Sequence, residues 1–567
     1  MNRLYFLLAA GLISSAAVAQ NQYDALKLMN NDLNGTARFV GMGGAMSALG
    51  ADISTIGTNP AGIGLFRKSD VSVSFGFNNN KVSSDHGGMK VSDDRTRWSF
   101  DQAGFVWASK IGNRTDLRYF NVGFNYTKRA NFNRQFSSKM NLNGESLTNQ
   151  MAMMAMNSGK FGTVGDVNAL FDAKNPYTSE TYYGVPYLAS MGLRCGFNKD
   201  GVSAGLLDYV YVTDANDDTK IPEINDKTKI SEIYGWNGEQ GEFYSREEGG
   251  INQFDFNVAF NVQDRYYFGL TLGVYDLNYN RYSSYAETMN RITQEDGAEY
   301  HDTGDLTLNN WYRADGTGVD LKFGAIVRPF EYSPFRLGFS VHTPIWYSMT
   351  DKYSATIASN LNIQNINGGY TSGSSVENLS DYLQPQYVFD YALTTPWRIN
   401  VSAGTVLGGM VALDAEYEFE KYSSARLRER TEYDYDYVYG GNDLSGTDAI
   451  KETFKPVHKF RVGMETNVDG FCIRAGYNFQ SAPIETGSFK NIAATDETRT
   501  NPEYINPKNR QSFSFGLGYH GKTLYADVAY KYDMYKSDFY AFDSETFVPA
   551  KLDNECHQLL FTVGARF

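Results

Sequence analysis

The 567-residue chain has only 3 cysteines and 14 prolines, and its 51 Lys+Arg fall short of its 65 Asp+Glu. Three cysteines in this length exclude a disulfide scaffold. A formal net charge of −14 lacks the basic footprint of a nucleic-acid binder, so no nucleic-acid partner is expected. Beyond the extreme N-terminus no run of about 18 apolar residues occurs, which excludes helical membrane spans. What is plentiful narrows the class further: 41 Tyr, 37 Phe and 54 Gly. A disordered chain does not carry that aromatic load. The mixture fits an all-β protein with short turns, and membrane β-barrels belong to that class.

Residues 1–3 are a short basic start, residues 4–13 an apolar core, and Ala17-Val18-Ala19 an A-x-A cleavage site. Residues 1–19 therefore read as a secretory signal peptide. Gln20, in place of Cys, predicts no lipid anchor at that position.

From residue 70 onward the chain alternates apolar and polar residues, the period of a strand with two different faces. Val71, Val73, Phe75 and Phe77 alternate with Ser72, Ser74, Gly76 and Asn78. Phe120, Val122, Phe124 and Tyr126 repeat the pattern. It returns at 254–262, 268–274, 319–327, 335–341, 399–403, 411–419, 460–464, 471–479, 513–519, 524–532 and 559–567, with a less regular run at 100–109. That makes about fourteen strands, an even number, as bacterial single-chain barrels require. Short turns such as Gln263-Asp264-Arg265, Leu407-Gly408-Gly409 and His520-Gly521-Lys522 alternate with long polar links at 79–97, 130–250, 281–316, 349–385, 422–455, 481–509 and 537–555. The pattern predicts an up-and-down antiparallel transmembrane barrel in a Gram-negative outer membrane, with its long loops outside.

The faces point the same way. Asp414, Glu416, Glu418 and Glu420 share one side of a strand, and Lys459, Arg461 and Glu465 share one side of the next. Charges on the lipid face are costly, so these are expected in the lumen. There Lys459, Arg461 and Arg474 should form a structural ion-pair ladder with Asp414, Glu416 and Glu418. The last strand alternates up to Phe567. A terminal aromatic on an amphipathic strand resembles the signal read by the barrel-assembly machinery, an expected partner along with outer-membrane lipid.

Residues 20–69 do not alternate. Gly41, Gly43, Gly44 and Gly50 lie among Ala and Ser, and Asn59-Pro60-Ala61-Gly62 follows. Small residues suit a segment threaded into a confined lumen. With the strand count, residues 338–344 and Thr395-Pro396-Trp397-Arg398, this block resembles the FadL/TodX family of outer-membrane transporters for long-chain fatty acids and other hydrophobic compounds. The resemblance implies that 20–69 is a hatch inside a fourteen-stranded barrel formed by 70–567. It also implies passive transport of a hydrophobic ligand. In that family the Asn-Pro-Ala motif lies near an inward kink of strand three, and ligand leaves through the wall there.

Other candidates carry less. Met151, Met153, Met154 and Met156 predict a short helix with exposed thioethers, an adaptable surface for lipophile capture; the plain alternative is a helix packed on its own loop. Asp214-x-Asn216-x-Asp218 departs from a calcium loop at Thr219 and Asn225, so no metal is expected. Tyr433-Asp434-Tyr435-Asp436-Tyr437 reads as a solvated loop. No nucleophile motif accompanies the six histidines, so neither catalytic residues nor a cofactor is expected, although His86 and His301 are the candidates for a haem-uptake reading. Cys195, Cys472 and Cys556 fall on distant elements and predict no disulfide. A structural or secretion-associated barrel remains the other alternative, and a monomer is expected. An apolar pocket under the loops would favour transport; a tightly filled lumen would favour an adaptor.

Overall fold

The computed structural model describes residues 21–182, 184–199, 202–212, 225–295, 298–365, 368–383, 387–430, 442–485, 487–488 and 498–567. The signal peptide, the Asp214–Asp218 motif and the Tyr433–Tyr437 run lie outside the described residues. No described helix is long and apolar enough to cross a membrane. Crossing is by strands.

Fourteen antiparallel strands close into a barrel. They are β1 (Asp70–His86), β2 (Met89–Lys110), β3 (Leu117–Asn131, continued as Arg134–Gly144), β4 (Asn237–Val262), β5 (Tyr266–Glu295), β6 (Ala298–Val327) and β7 (Arg336–His342, continued as Trp346–Gln364). The second half is β8 (Tyr387–Thr394, continued as Arg398–Leu407), β9 (Val411–Lys421, continued as Arg426–Glu429), β10 (Pro456–Val468), β11 (Phe471–Gln480), β12 (Tyr504–His520), β13 (Leu524–Tyr540) and β14 (Ala550–Arg566). Pairing of β1 with β14, from Asp70↔Arg566 to Asp85↔Lys551, closes the cylinder and leaves no edge in the hydrocarbon.

The alternation sorts as the pleat demands. Phe77, Phe105, Phe256, Leu270, Val462 and Phe515 are exposed on the outer wall, whereas Ser74, Asn121, Thr271 and Ser514 are buried inside. This apolar outer face and polar lumen make the protein an outer-membrane β-barrel. At one end the turns are tight. Gly408 and Gly409 both have positive φ (57° and 71°), as do Gln263 and Asp264 (56° and 58°). That is the backbone of the two-residue turn whose twist matches the strands.

Several links expected as loops are strand instead. Residues 79–97 form a hairpin turning at Gly87-Gly88, and 281–316 is mostly the far half of β5 and β6, each 30 residues long. Past the bilayer a strand needs no apolar outer face, so the ladder continues after the alternation has faded. β7 and β8 break side by side at Pro344 and Pro396, where a ladder donor is missing. Ile345 and Thr395 repair the gap: Thr395 N–H donates to Ile345 C=O (3.1 Å), and Ile345 N–H donates to Thr395 Oγ1 (2.8 Å).

Residues 21–69 fill the lumen with helices α1 (Gln22–Leu28) and α2 (Ala37–Gly41) and with tighter turns at Ile53–Gly57 and Pro60–Leu65. Above the barrel, α3 (Leu147–Asn157), α4 (Val164–Asp172) and α5 (Tyr187–Arg194) share one apolar core with Phe136, Phe243, Leu306, Ile357, Phe539 and Leu552. This cap sits on the long-loop end.

The expected orientation puts the cap outside the cell. Cysteine introduced at exposed Lys160, in the cap, should react with an impermeant maleimide on whole cells. At exposed Lys522, in a tight turn, it should react only after the outer membrane is breached. The reverse labelling would invert the orientation.

Candidate functional site

The lumen segment is seated on wall positions that have no side chain. A Cβ on Gly476 of β11 would lie 2.1 Å from Gly43 N, and one on Gly463 of β10 would lie 2.3 Å from Met42 O. On the opposite side, a Cβ on Gly269 would lie 2.2 Å from the carbonyl carbon of Pro60, and one on Gly324 would lie 2.1 Å from Asn59 Oδ1. Asn59 is fully buried. Its amide donates to Ser47 C=O (2.9 Å), while its oxygen accepts from Ala61 N–H (3.2 Å) and starts the turn at Pro60. Pro60, Ala61 and Gly62 are buried with it. The motif therefore packs against β5, β6 and β7.

The acidic row does two jobs. Lys459 bridges Glu418 (2.9 Å) and Glu420 (2.5 Å), and Arg461 bridges Glu416 and Glu418 (both 3.2 Å). Arg474 stays apart from that row, pairing with Glu465 (2.5 Å) and Asp527 (2.6 Å). Asp414 instead accepts from Ala48 and Leu49 N–H (3.1 and 3.0 Å), and Glu416 accepts from Met46 and Ser47 N–H (both 2.6 Å). Four amides of the lumen segment thus end on two wall carboxylates, which are charge-assisted and strong. Sequence spacing gave no sign of this second role, because the donors are backbone.

The wall itself changes course at β3. The β2–β3 ladder runs from Lys110↔Tyr119 to Gln102↔Thr127 and stops. At that level Asp101 is an extra residue in β2, and Arg129 an extra residue in β3. Gly249 of β4 takes φ +107°, and a Cβ there would lie 2.1 Å from Asn278 O. β3 then continues along β4 but behind β2, reaching the inner faces of β1 and β14. Asn80 donates to Asn133 C=O (2.7 Å), Ser84 Oγ to Ser138 Oγ (2.8 Å), and Arg134 to Asn554 Oδ1 (2.8 Å). Where the ladder parts, the lumen segment supplies the missing partners. Asp32 N–H donates to Arg129 C=O (2.8 Å), Asp32 Oδ2 accepts from Asn131 N–H (2.9 Å), and Asn34 donates to Asp101 (2.9 Å) and to Lys128 C=O (3.0 Å).

Behind this seam lies a cavity of about 280 Å³. Its floor is α1 and residues 30–34; its side is Phe132, Arg134 and Phe136 of the displaced strand; Phe243 and Phe539 lie on the cap side. The lining is amphipathic, not apolar. Its charges are paired across elements: Lys27 with Glu247, Arg281 with Glu503 (3.2 Å), and Arg510 with Asp32 and Asp533 (both 3.0 Å).

The methionine helix is α3, capped by Ser146. Met151 and Met154 are fully buried in the cap core, and only Met153 and Met156 are exposed. The expectation of four exposed thioethers is corrected: at helical spacing, two of them must face inward. Both ring nitrogens of buried His86 are engaged, by Asn141 N–H (3.3 Å) and Val548 C=O (3.0 Å), while His301 is exposed beside Glu299. Cys195, Cys472 and Cys556 are free.

The two carboxylates should govern how firmly the lumen segment is held. Asp414→Asn with Glu416→Gln should raise hydrogen exchange at amides 46–49 by tenfold or more, at about 1.5–3 kcal/mol per charge-assisted bond. The barrel should keep its heat-resistant mobility on gels, because its stability lies in the closed ladder. Unchanged exchange would remove the anchoring role.

No protein-family model matches the chain, and no curated protein matches it. Among solved structures the chain is similar to a Pseudomonas aeruginosa FadL homologue, at 11% identity, with 95% of this chain and 99% of that one covered and a TM-score of 0.43. It is also similar to the Pseudomonas putida toluene transporter TodX, at 9% identity, 94% and 99% coverage and a TM-score of 0.41. The toluene transporter TbuX of Ralstonia pickettii aligns at 12% identity, 94% and 99% coverage and a TM-score of 0.39.

Proposed function

We propose that the protein carries hydrophobic small molecules, long-chain fatty acids first among them, passively across the outer membrane. A ligand is captured at the cap, rests in the cavity and leaves sideways between β2 and β3. The observation that carries this reading is the seam. A closed barrel gains nothing from sending one strand behind its neighbour, yet here the cavity wall is that displaced strand, and Asp32 and Asn34 seal the parting from within. A route into lipid suits an apolar cargo, which has no reason to enter water on its way inward.

The cavity favours a guest with a polar end and an apolar body. Paired charges line its floor, and Phe136, Phe243 and Phe539 stand together toward the cap, their ring centroids 4.7–5.3 Å apart. Under this reading Met153 and Met156 offer the capture surface, Asn59 sets the pose of the lumen segment, and no catalysis is involved. The alternative, a structural or secretion-associated barrel, draws support from how completely residues 36–66 fill the lumen below the cavity.

Affinity should rise with chain length, by up to about 0.8 kcal/mol per buried methylene. Titration of labelled fatty acids of increasing length into protein held in amphipol checks this, and a flat series would mean a different substrate class. Cysteines at Asp93 and Ser137, which meet across the seam (Ser137 N to Asp93 Oδ2, 2.6 Å), can be joined by a short bis-maleimide. The bridge should abolish uptake by cells and leave binding in amphipol intact. Undiminished uptake would remove the lateral exit. Met153→Ser with Met156→Ser should slow capture without lowering thermal stability.

A further inference from the structure

Between the layers of the same overlap, three guanidinium groups converge on one carboxylate. Arg95 and Arg97 come from β2, and Arg246 and Glu248 from β4. Arg95 bonds Glu248 and donates to Glu247 C=O (2.9 Å); Arg97 reaches Glu248 at 3.1 Å and Arg246 at 2.6 Å. Arg95 is buried between the layers, whereas the side chains of Arg97 and Arg246 are 46% and 49% exposed. Arg97 has the lumen-facing parity of its strand, like buried Arg95 and Ser99, and is exposed because β2 has lost its neighbour there.

Three guanidinium groups share one carboxylate as their side-chain ion-pair partner. The next acidic groups along β2 are already engaged, Asp93 by Ser137 N–H (2.6 Å) and Asp94 by Asn79 (3.3 Å). The height on the wall is telling. On these strands the apolar outer band ends at the cross-strand pair Phe77–Trp98, with Trp98 61% exposed, and polar Asn79 and Thr96 come next. Arg97 is adjacent to Trp98 in sequence. An exposed aromatic at the edge of an apolar band marks the headgroup level of a bilayer, and guanidinium forks match phosphate oxygens.

We propose that Arg95, Arg97 and Arg246 form a docking site for the phosphate of a membrane-lipid headgroup, held at the outer mouth of the β2–β3 seam. The site binds structural lipid of the surrounding leaflet. Glu248 spaces the three cations and occupies part of their donor capacity. The inference stands on the barrel and its seam and does not depend on what the cavity carries.

Native mass spectrometry of delipidated protein in detergent tests it, with dioleoyl-phosphatidylglycerol as the probe and dioleoylglycerol, which lacks the phosphate, as its control. Arg97→Gln with Arg246→Gln should weaken phosphatidylglycerol binding about tenfold, the scale of one or two lost basic contacts at a membrane surface, and leave dioleoylglycerol unaffected. Glu248→Gln should tighten it, because donors are freed. A heat-modifiable gel band confirms that each variant is folded. Equal binding by wild type and the double variant would overturn the proposal, as would weaker binding in Glu248→Gln. Displacement of the lipid by millimolar inorganic phosphate as readily as by excess phosphatidylglycerol would also overturn it, since the site would then take a free anion.

Discussion

Within a bilayer every backbone N–H and C=O must find a partner inside the protein, and a strand that leaves its ladder breaks that rule at once. β3 leaves it above Thr127. The structure survives because Asp32 and Asn34 take over the orphaned groups at Lys128, Arg129 and Asn131. Much else follows from this repair. The lumen segment must be present and fixed, so it is held by Asp414 and Glu416 at one point and by wall glycines at others. The displaced strand becomes the side of a cavity, and the overlap it creates exposes Arg97 to the outside.

The ion pairs serve position more than stability. A lumen carboxylate in ion pairs alone gains little over a hydrophobic replacement once desolvation is counted. Glu416 differs, because it joins Arg461 on the wall to the amides of Met46 and Ser47 in the lumen segment. Asp24 with Arg499 (2.6 Å) and Arg38 with Glu465 (2.8 Å) repeat the scheme at other heights. Arg38 ties a short helix with little core of its own to Glu465 of the wall strand β10, and Asp24 ties α1 to Arg499 in the link that precedes β12.

The barrel was legible in the sequence because a strand between lipid and water must alternate, and thirteen of the fourteen runs did so, with 100–109 less regular where Asp101 is an extra residue. The far halves of β5 and β6 were not, since a strand with water on its outer face carries no such mark. The faces of the acidic strand could be read from Asp414, Glu416 and Glu418, but their backbone partners could not: an amide has no side-chain signature. Gly269, Gly324, Gly463 and Gly476 read as ordinary strand glycines, and only the close approach of the lumen segment gives them meaning. The inward path of β3 left no local pattern at all, because it arises from single extra residues, Asp101 and Arg129, in strands that otherwise look regular.

The central claim is that the cavity opens to lipid through the β2–β3 seam. A fatty acid with a diazirine at its chain end, photolysed in intact outer membranes, tests it by where the adducts fall. The account predicts adducts both on Phe132 and Phe136 in the cavity and on Trp98 and Phe100 outside the parted ladder. Adducts confined to the lumen below Asn59, toward the tight turns, would contradict it and place the route through the barrel axis.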